Sequence, residues 1–98
     1  MTVDKKYIID FLSRNKGILR QNYGVINIGL IGSYARNEQN DNSDIDFFVE
    51  FTKPSFHYLA GLLLFLENAF KKKVDITRNR KSLSKSFFNK VQEEIIIV

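Results

Sequence analysis

The chain has 98 residues, with 15 Lys+Arg against 11 Asp+Glu for a formal net charge of +4, 44% hydrophobic and 13% aromatic side chains, and no cysteine. That length sets one domain around one small core, residues 1–98, and the apolar fraction is too high for a disordered segment. Without cysteine there is no disulfide framework, thiol nucleophile or thiolate zinc site, and the lone His57 excludes a histidine-built metal centre, so any cation must be held by oxygen.

Residues 4–22 set Tyr7, Ile8, Phe11, Leu12, Ile18 and Leu19 near i, i+3, i+4, i+7 spacing among Lys and Arg, which predicts one amphipathic helix stopped by Gly24. No apolar leader follows Met1, and the longest apolar stretch, Tyr58 to Leu66, is far short of the roughly 20 residues that cross a bilayer. A soluble cytoplasmic protein without membrane attachment is expected. Residues 25–31, β-branched and flanked by glycine, predict a strand; 32–38 read as a turn opening into a short helix, and 40–43 as a polar loop. From Asp44 to Phe51 the pattern alternates, with Ile45, Phe47, Val49 and Phe51 on one face and Asp44, Asp46, Phe48 and Glu50 on the other, a half-buried strand.

Ser55 is a candidate N-cap for a helix over 56–70. Phe56, Leu59, Leu63, Leu66 and Phe70 form its stripe, while Leu62, Leu64 and Phe65 are surplus, which implies burial on two sides or a partner. Lys73 to Thr77 predicts a third strand, and Leu83, Phe87, Phe88, Val91 and Ile95 a final amphipathic helix. Ile95 to Val98 is either a closing strand or a docking segment. The order predicts an α+β layer with helices packed on one sheet face.

The net charge hides an asymmetry. Glu38, Asp41, Asp44, Asp46 and Glu50 lie in a segment with no Lys or Arg, whereas residues 71–90 hold eight Lys and Arg against Asp75 alone. Two carboxylates two apart on a strand project to one side, so Asp44 and Asp46 stand together opposite Ile45 and Phe47. Such neighbours repel unless a cation lies between them, and Mg²⁺ suits their hard oxygens; a pair of such ions serves phosphoryl displacement. Asp75, flanked by core-seeking Val74 and Ile76, is the candidate third carboxylate. Gly32 lets backbone approach a ligand closely, Ser33 offers a hydroxyl and an N–H, and Arg36 carries a donor fork that reaches phosphate. Taken singly, each has an ordinary reading as a cap, turn, solvated residue or lysine partner; taken jointly, metal on one side and triphosphate on the other is the arrangement of nucleotidyl transfer. The basic segment contains no recognised nucleic-acid motif, and Phe87 and Phe88 read as core, so direct nucleic-acid binding is not expected.

Gly32-Ser33-Tyr34-Ala35-Arg36, Ser43-Asp44-Ile45-Asp46 through Phe51, and Lys73-Val74-Asp75-Ile76 together resemble the minimal nucleotidyltransferases of the DNA polymerase β superfamily. The resemblance covers nearly the whole chain. It implies a small mixed sheet, ATP as nucleotide donor, and two Mg²⁺ ions held by Asp44 and Asp46. It makes Asp75 a ligand and the activator of the incoming hydroxyl, with the triphosphate on Gly32 and Ser33. Many such proteins are antitoxins of HEPN-domain ribonuclease toxins, and some transfer AMP to a toxin tyrosine, which implies a hetero-oligomer with a toxin and leaves a homodimer open. The alternative is an antitoxin, weak or inactive in catalysis, that neutralises its toxin by binding. Two positions depart from the family pattern: Asn37 follows the arginine where glycine is usual, and Lys71 stands where glycine often ends the helix.

Overall fold

The computed structural model describes residues 2–98, in the order α1 (Lys5–Arg14), α2 (Lys16–Tyr23), β1 (Val25–Ile31), α3 (Gly32–Ala35), β2 (Ile45–Phe51), α4 (Phe56–Phe70), β3 (Val74–Arg78), α5 (Lys85–Glu94) and β4 (Ile96–Ile97). The strands form one mixed sheet in the order β3-β2-β1-β4, with β1 antiparallel to β2 and β4, and β2 parallel to β3 across α4. This is the expected α+β class.

The first helix is two helices. The 7, 8, 11, 12 apolar pattern asks for an apolar residue at 15, and the chain puts asparagine there. The Asn15 side-chain amide donates to the Phe11 carbonyl at 2.8 Å, and its backbone leaves helical geometry at φ −114°, ψ 16°. The restart as α2 turns Leu19 into the core and leaves Ile18 exposed. Gly24, at φ 62°, then ends α2 as expected, and a side chain there would run into the Tyr58 ring.

Helix α4 starts on Ser55, whose hydroxyl accepts from the Tyr58 N–H at 3.3 Å. Its core line is Leu62, Leu66 and Phe70, rather than the stripe through Leu59 and Leu63. Phe70 sets this phase, because its ring lies against Tyr7, Phe11 and Phe47 with centroids 5.0 to 6.2 Å away. Positions four and eight residues earlier must then face inward. Leu62 is fully buried, whereas Phe56 and Leu64 remain 78% and 66% exposed. Glu67, on the same helix, accepts from the Val74 N–H at 3.1 Å and so fixes where β3 begins.

Helices α1, α2 and α4 cover one sheet face over Ile28, Leu30, Ile45, Phe47 and Val49. Helix α5 covers part of the other: Val91 packs on Ile31 and Phe48, flanked by Leu83, Phe87 and Ile95. The expectation of helices on one face therefore holds for three, and α5 is added because Phe48 and Ile31 point away from the main core and need cover. The last residues are a closing strand, with Ile96 opposite Leu30 and Ile97 opposite Gly29. Among the described residues no helix is long and apolar enough to cross a membrane.

Candidate active site

The uncovered part of the second face is a cleft of about 540 Å³ between the ends of the strands and α5, a size common for small-ligand sites. Gly32, Ser33, Arg36, Asp44, Asp46 and Asp75 all line it. Asp46 lies opposite Asp75 across the parallel β2–β3 pair and opposite Ile31 across β1–β2. The chain therefore leaves β1 directly above the carboxylates. Gly32 has φ 77°, and a Cβ there would strike the Asp46 carboxylate, so only glycine fits. Asp44 precedes β2 and opens into the same cleft. The solitary His57 is exposed and lies outside it.

Asp46 is half-buried, and its carboxyl pKa is raised, first by burial and then by repulsion from Asp75, Asp44 and Glu94, with Arg36 opposing. Among the described residues no three carboxylates or imidazoles stand close enough to form a ready-made cation cage. The donor chemistry nonetheless fits a hard divalent cation: oxygen ligands face one cleft, and their mutual repulsion is what such an ion relieves.

Arg36 donates from Nε to Glu38 at 2.7 Å and from Nη1 to Glu94 at 2.9 Å, and hydrogen bonds to these two carboxylates push its pKa further up. Asn37, in the glycine position, takes φ 59° and continues the turn, after which the Glu38 N–H reaches the Ser33 carbonyl at 2.8 Å. Asparagine is among the few side chains that adopt this conformation readily.

Ser43, Thr77, Lys90 and Glu94 complete the polar lining, and the sequence singles out none of them as a site residue, although Lys90 belongs to its basic segment. Glu94 ends α5, and its carboxylate accepts from the Gly32 N–H, 62 positions earlier, as well as from Arg36. Nothing local distinguishes it from its neighbour Glu93; only the packing of α5 on Ile31 and Phe48 brings it here.

Residues 12–98 match the family described as the nucleotidyltransferase domain. The chain belongs to that family, and it is a nucleotidyltransferase. This minimal nucleotidyltransferase is 40% identical over 95 residues to MJ1379 of Methanocaldococcus jannaschii, whose name assigns it provisionally to the protein adenylyltransferases; the match spans 93% of this chain and 94% of the relative. It is 34% identical over 92 residues to the protein adenylyltransferase MntA of Thermococcus cleftensis, covering 93% and 92% of the two chains. Among solved structures, one described provisionally as a minimal nucleotidyltransferase superposes with a TM-score of 0.79 at 25% identity, over 96% of this chain and 95% of that one. A chain of a toxin–antitoxin complex solved with AMP-PNP superposes at 0.67 and 25% identity, over 97% and 72%.

Proposed function

We propose that this nucleotidyltransferase is a magnesium-dependent adenylyltransferase that moves AMP from ATP to a hydroxyl of a partner protein. We further propose that the partner is a HEPN-domain ribonuclease toxin, held in a hetero-oligomer and neutralised by the modification. The observation that carries the reading is the pairing of Asp46 with Asp75 on adjacent strands beneath the Gly32 backbone, with Asp44, Ser33 and Arg36 around one cleft. The protein adenylyltransferase MntA and the toxin–antitoxin complex with AMP-PNP support the donor and the partner class.

In this reading Asp44, Asp46 and Asp75 hold the metal, which when bound supplies positive charge against that developing on the phosphoryl oxygens and the leaving group. The Gly32 N–H, the Ser33 hydroxyl and the Arg36 fork hold the outer phosphates and orient the chain of three. Asp75, the most exposed of the carboxylates, takes the proton from the attacking hydroxyl at a carboxylate oxygen. The hydroxyl oxygen bonds to the α-phosphorus, the bond from that phosphorus to the bridging oxygen breaks, and pyrophosphate leaves with the electron pair.

Incubation with α-labelled ATP and a co-purified partner tests this. Label should enter the partner with magnesium, and not with EDTA or in Asp44→Asn or Asp46→Asn; transfer that survives both substitutions overturns the reading. Neutralisation by binding alone is the second reading, and the exposed Phe56 and Leu64 of α4 favour it. There the Asp44→Asn, Asp46→Asn double variant still protects cells from the toxin, while Leu64→Glu does not.

A further inference from the structure

We propose that Glu94 is the resident anion of the phosphate cradle, and that a nucleotide must displace its carboxylate from Gly32 and Arg36 before the triphosphate can be held. This rests on the reading of Gly32, Ser33 and Arg36 as phosphate contacts. Two of the three groups assigned to the phosphates, the Gly32 N–H and the Arg36 fork, are already engaged. One Glu94 oxygen accepts from the Gly32 N–H, and the other accepts from Arg36 Nη1 at 2.9 Å, while Arg36 Nε is taken by Glu38. The Glu94 side chain is 15% exposed, against 65% for the Glu38 side chain that shares the same arginine. A carboxylate is thus seated where an anionic ligand would sit, with charge-assisted bonds of the kind a phosphate would make.

The backbone on either side of Glu94 is pinned. Val91 is buried, the Ile95 N–H bonds to the Val91 carbonyl, and Ile96 and Ile97 pair with β1. Release is therefore a rotation of the side chain rather than an undocking of α5. Lys90, one turn earlier on the same face of α5, lines the cleft and carries no ion pair among the described residues. It offers the displaced carboxylate a partner at i, i+4 spacing. As it stands the cleft holds Asp44, Asp46, Asp75 and Glu94 against two cations, Arg36 and Lys90, which repels a free triphosphate. If the cradle is open about a tenth of the time, apparent affinity falls about tenfold.

The test is calorimetric titration of the full chain with Mg-ATP and, in EDTA, with inorganic triphosphate, comparing wild type, Glu94→Gln and Glu93→Gln. Glu94→Gln should bind triphosphate about tenfold more tightly than wild type, while Glu93→Gln, the same charge change on the exposed neighbour, should bind like wild type. The Gly32 amide resonance should also move in Glu94→Gln without any ligand. Equal or weaker binding by Glu94→Gln, or an equal gain in Glu93→Gln, overturns the proposal and leaves the proposed function standing. Failure of every protein to bind either ligand overturns the phosphate site itself and the proposal with it. Should Glu94→Gln not fold, the wild-type titration decides: the Glu94 side-chain carboxyl resonance shifts on saturation with triphosphate if the carboxylate is displaced, and a resonance that stays still overturns the proposal.

Discussion

The two faces of the sheet handle the same strands in opposite ways. On the face under α1, α2 and α4, Ile45, Phe47 and Val49 are fully buried, and Phe70 gathers three aromatic rings. On the other face a small cluster of Ile31, Phe48 and Val91 anchors α5, and the rest is a polar cleft whose carboxylates repel one another. Alternation along β2 supplies both, because each step of the strand reverses the side. The difference teaches that apolar burial on the first face offsets charge crowding on the second, the separation expected where a site is less stable than its scaffold.

Four substitutions would break or sharpen this contrast. The largest effect is on chemistry: Asp46→Asn should lower labelled AMP transfer about 10³-fold, about 4 kcal/mol of barrier, while raising thermal stability. Its pKa is raised in the folded state, so the stability linked to its protonated form is present below the ordinary Asp range and is lost as pH rises through the folded pKa. Melting curves for wild type and Asp46→Asn should therefore diverge with rising pH, the variant lying higher at neutrality; coincident curves would show that the carboxylates do not crowd. Phe70→Ala strikes the opposite face and should cost about 3–5 kcal/mol in urea unfolding, with little left to assay at 37 °C.

Gly32→Ala bears on the seam between the faces. It forces a side chain onto Asp46 at a positive φ, so a loss of about 1–3 kcal/mol in stability is expected, together with weakened Mg-ATP binding by calorimetry. The smallest effect is a gain. Lys71 ends α4 at φ 55°, a left-handed conformation that a lysine side chain disfavours, so Lys71→Gly should add about 0.5–1 kcal/mol without changing nucleotide affinity. An unchanged melting point there would mean that the contact between the Lys71 ammonium and Asn68, at 3.1 Å, compensates for the strain.

Much of this is legible in the sequence. Strand 25–31 and helix 56–70 have the predicted bounds, because glycine, Ser55 and β-branching act within a few residues of themselves. The break at Asn15 was hidden by apolar residues that look periodic on either side of it. The phase of α4 was hidden because that helix is apolar almost all round, so only the seat of Phe70 decides which line faces inward. Both misreadings come from long-range packing overruling a local pattern.

Sequence by itself determined the strand that carries Asp46 and begins next to Asp44, the glycine turn before it, Asp75 as the candidate third carboxylate, and the family that those residues resemble. These depend on spacing, which the pleat and the turn translate directly into direction. Tertiary structure alone decided that Asp75 stands opposite Asp46, that α5 caps the second face, and that Glu94 reaches Gly32 across 62 positions. Those follow from strand register and helix docking, where the energy comes from contacts between segments that carry no mark of each other in the chain.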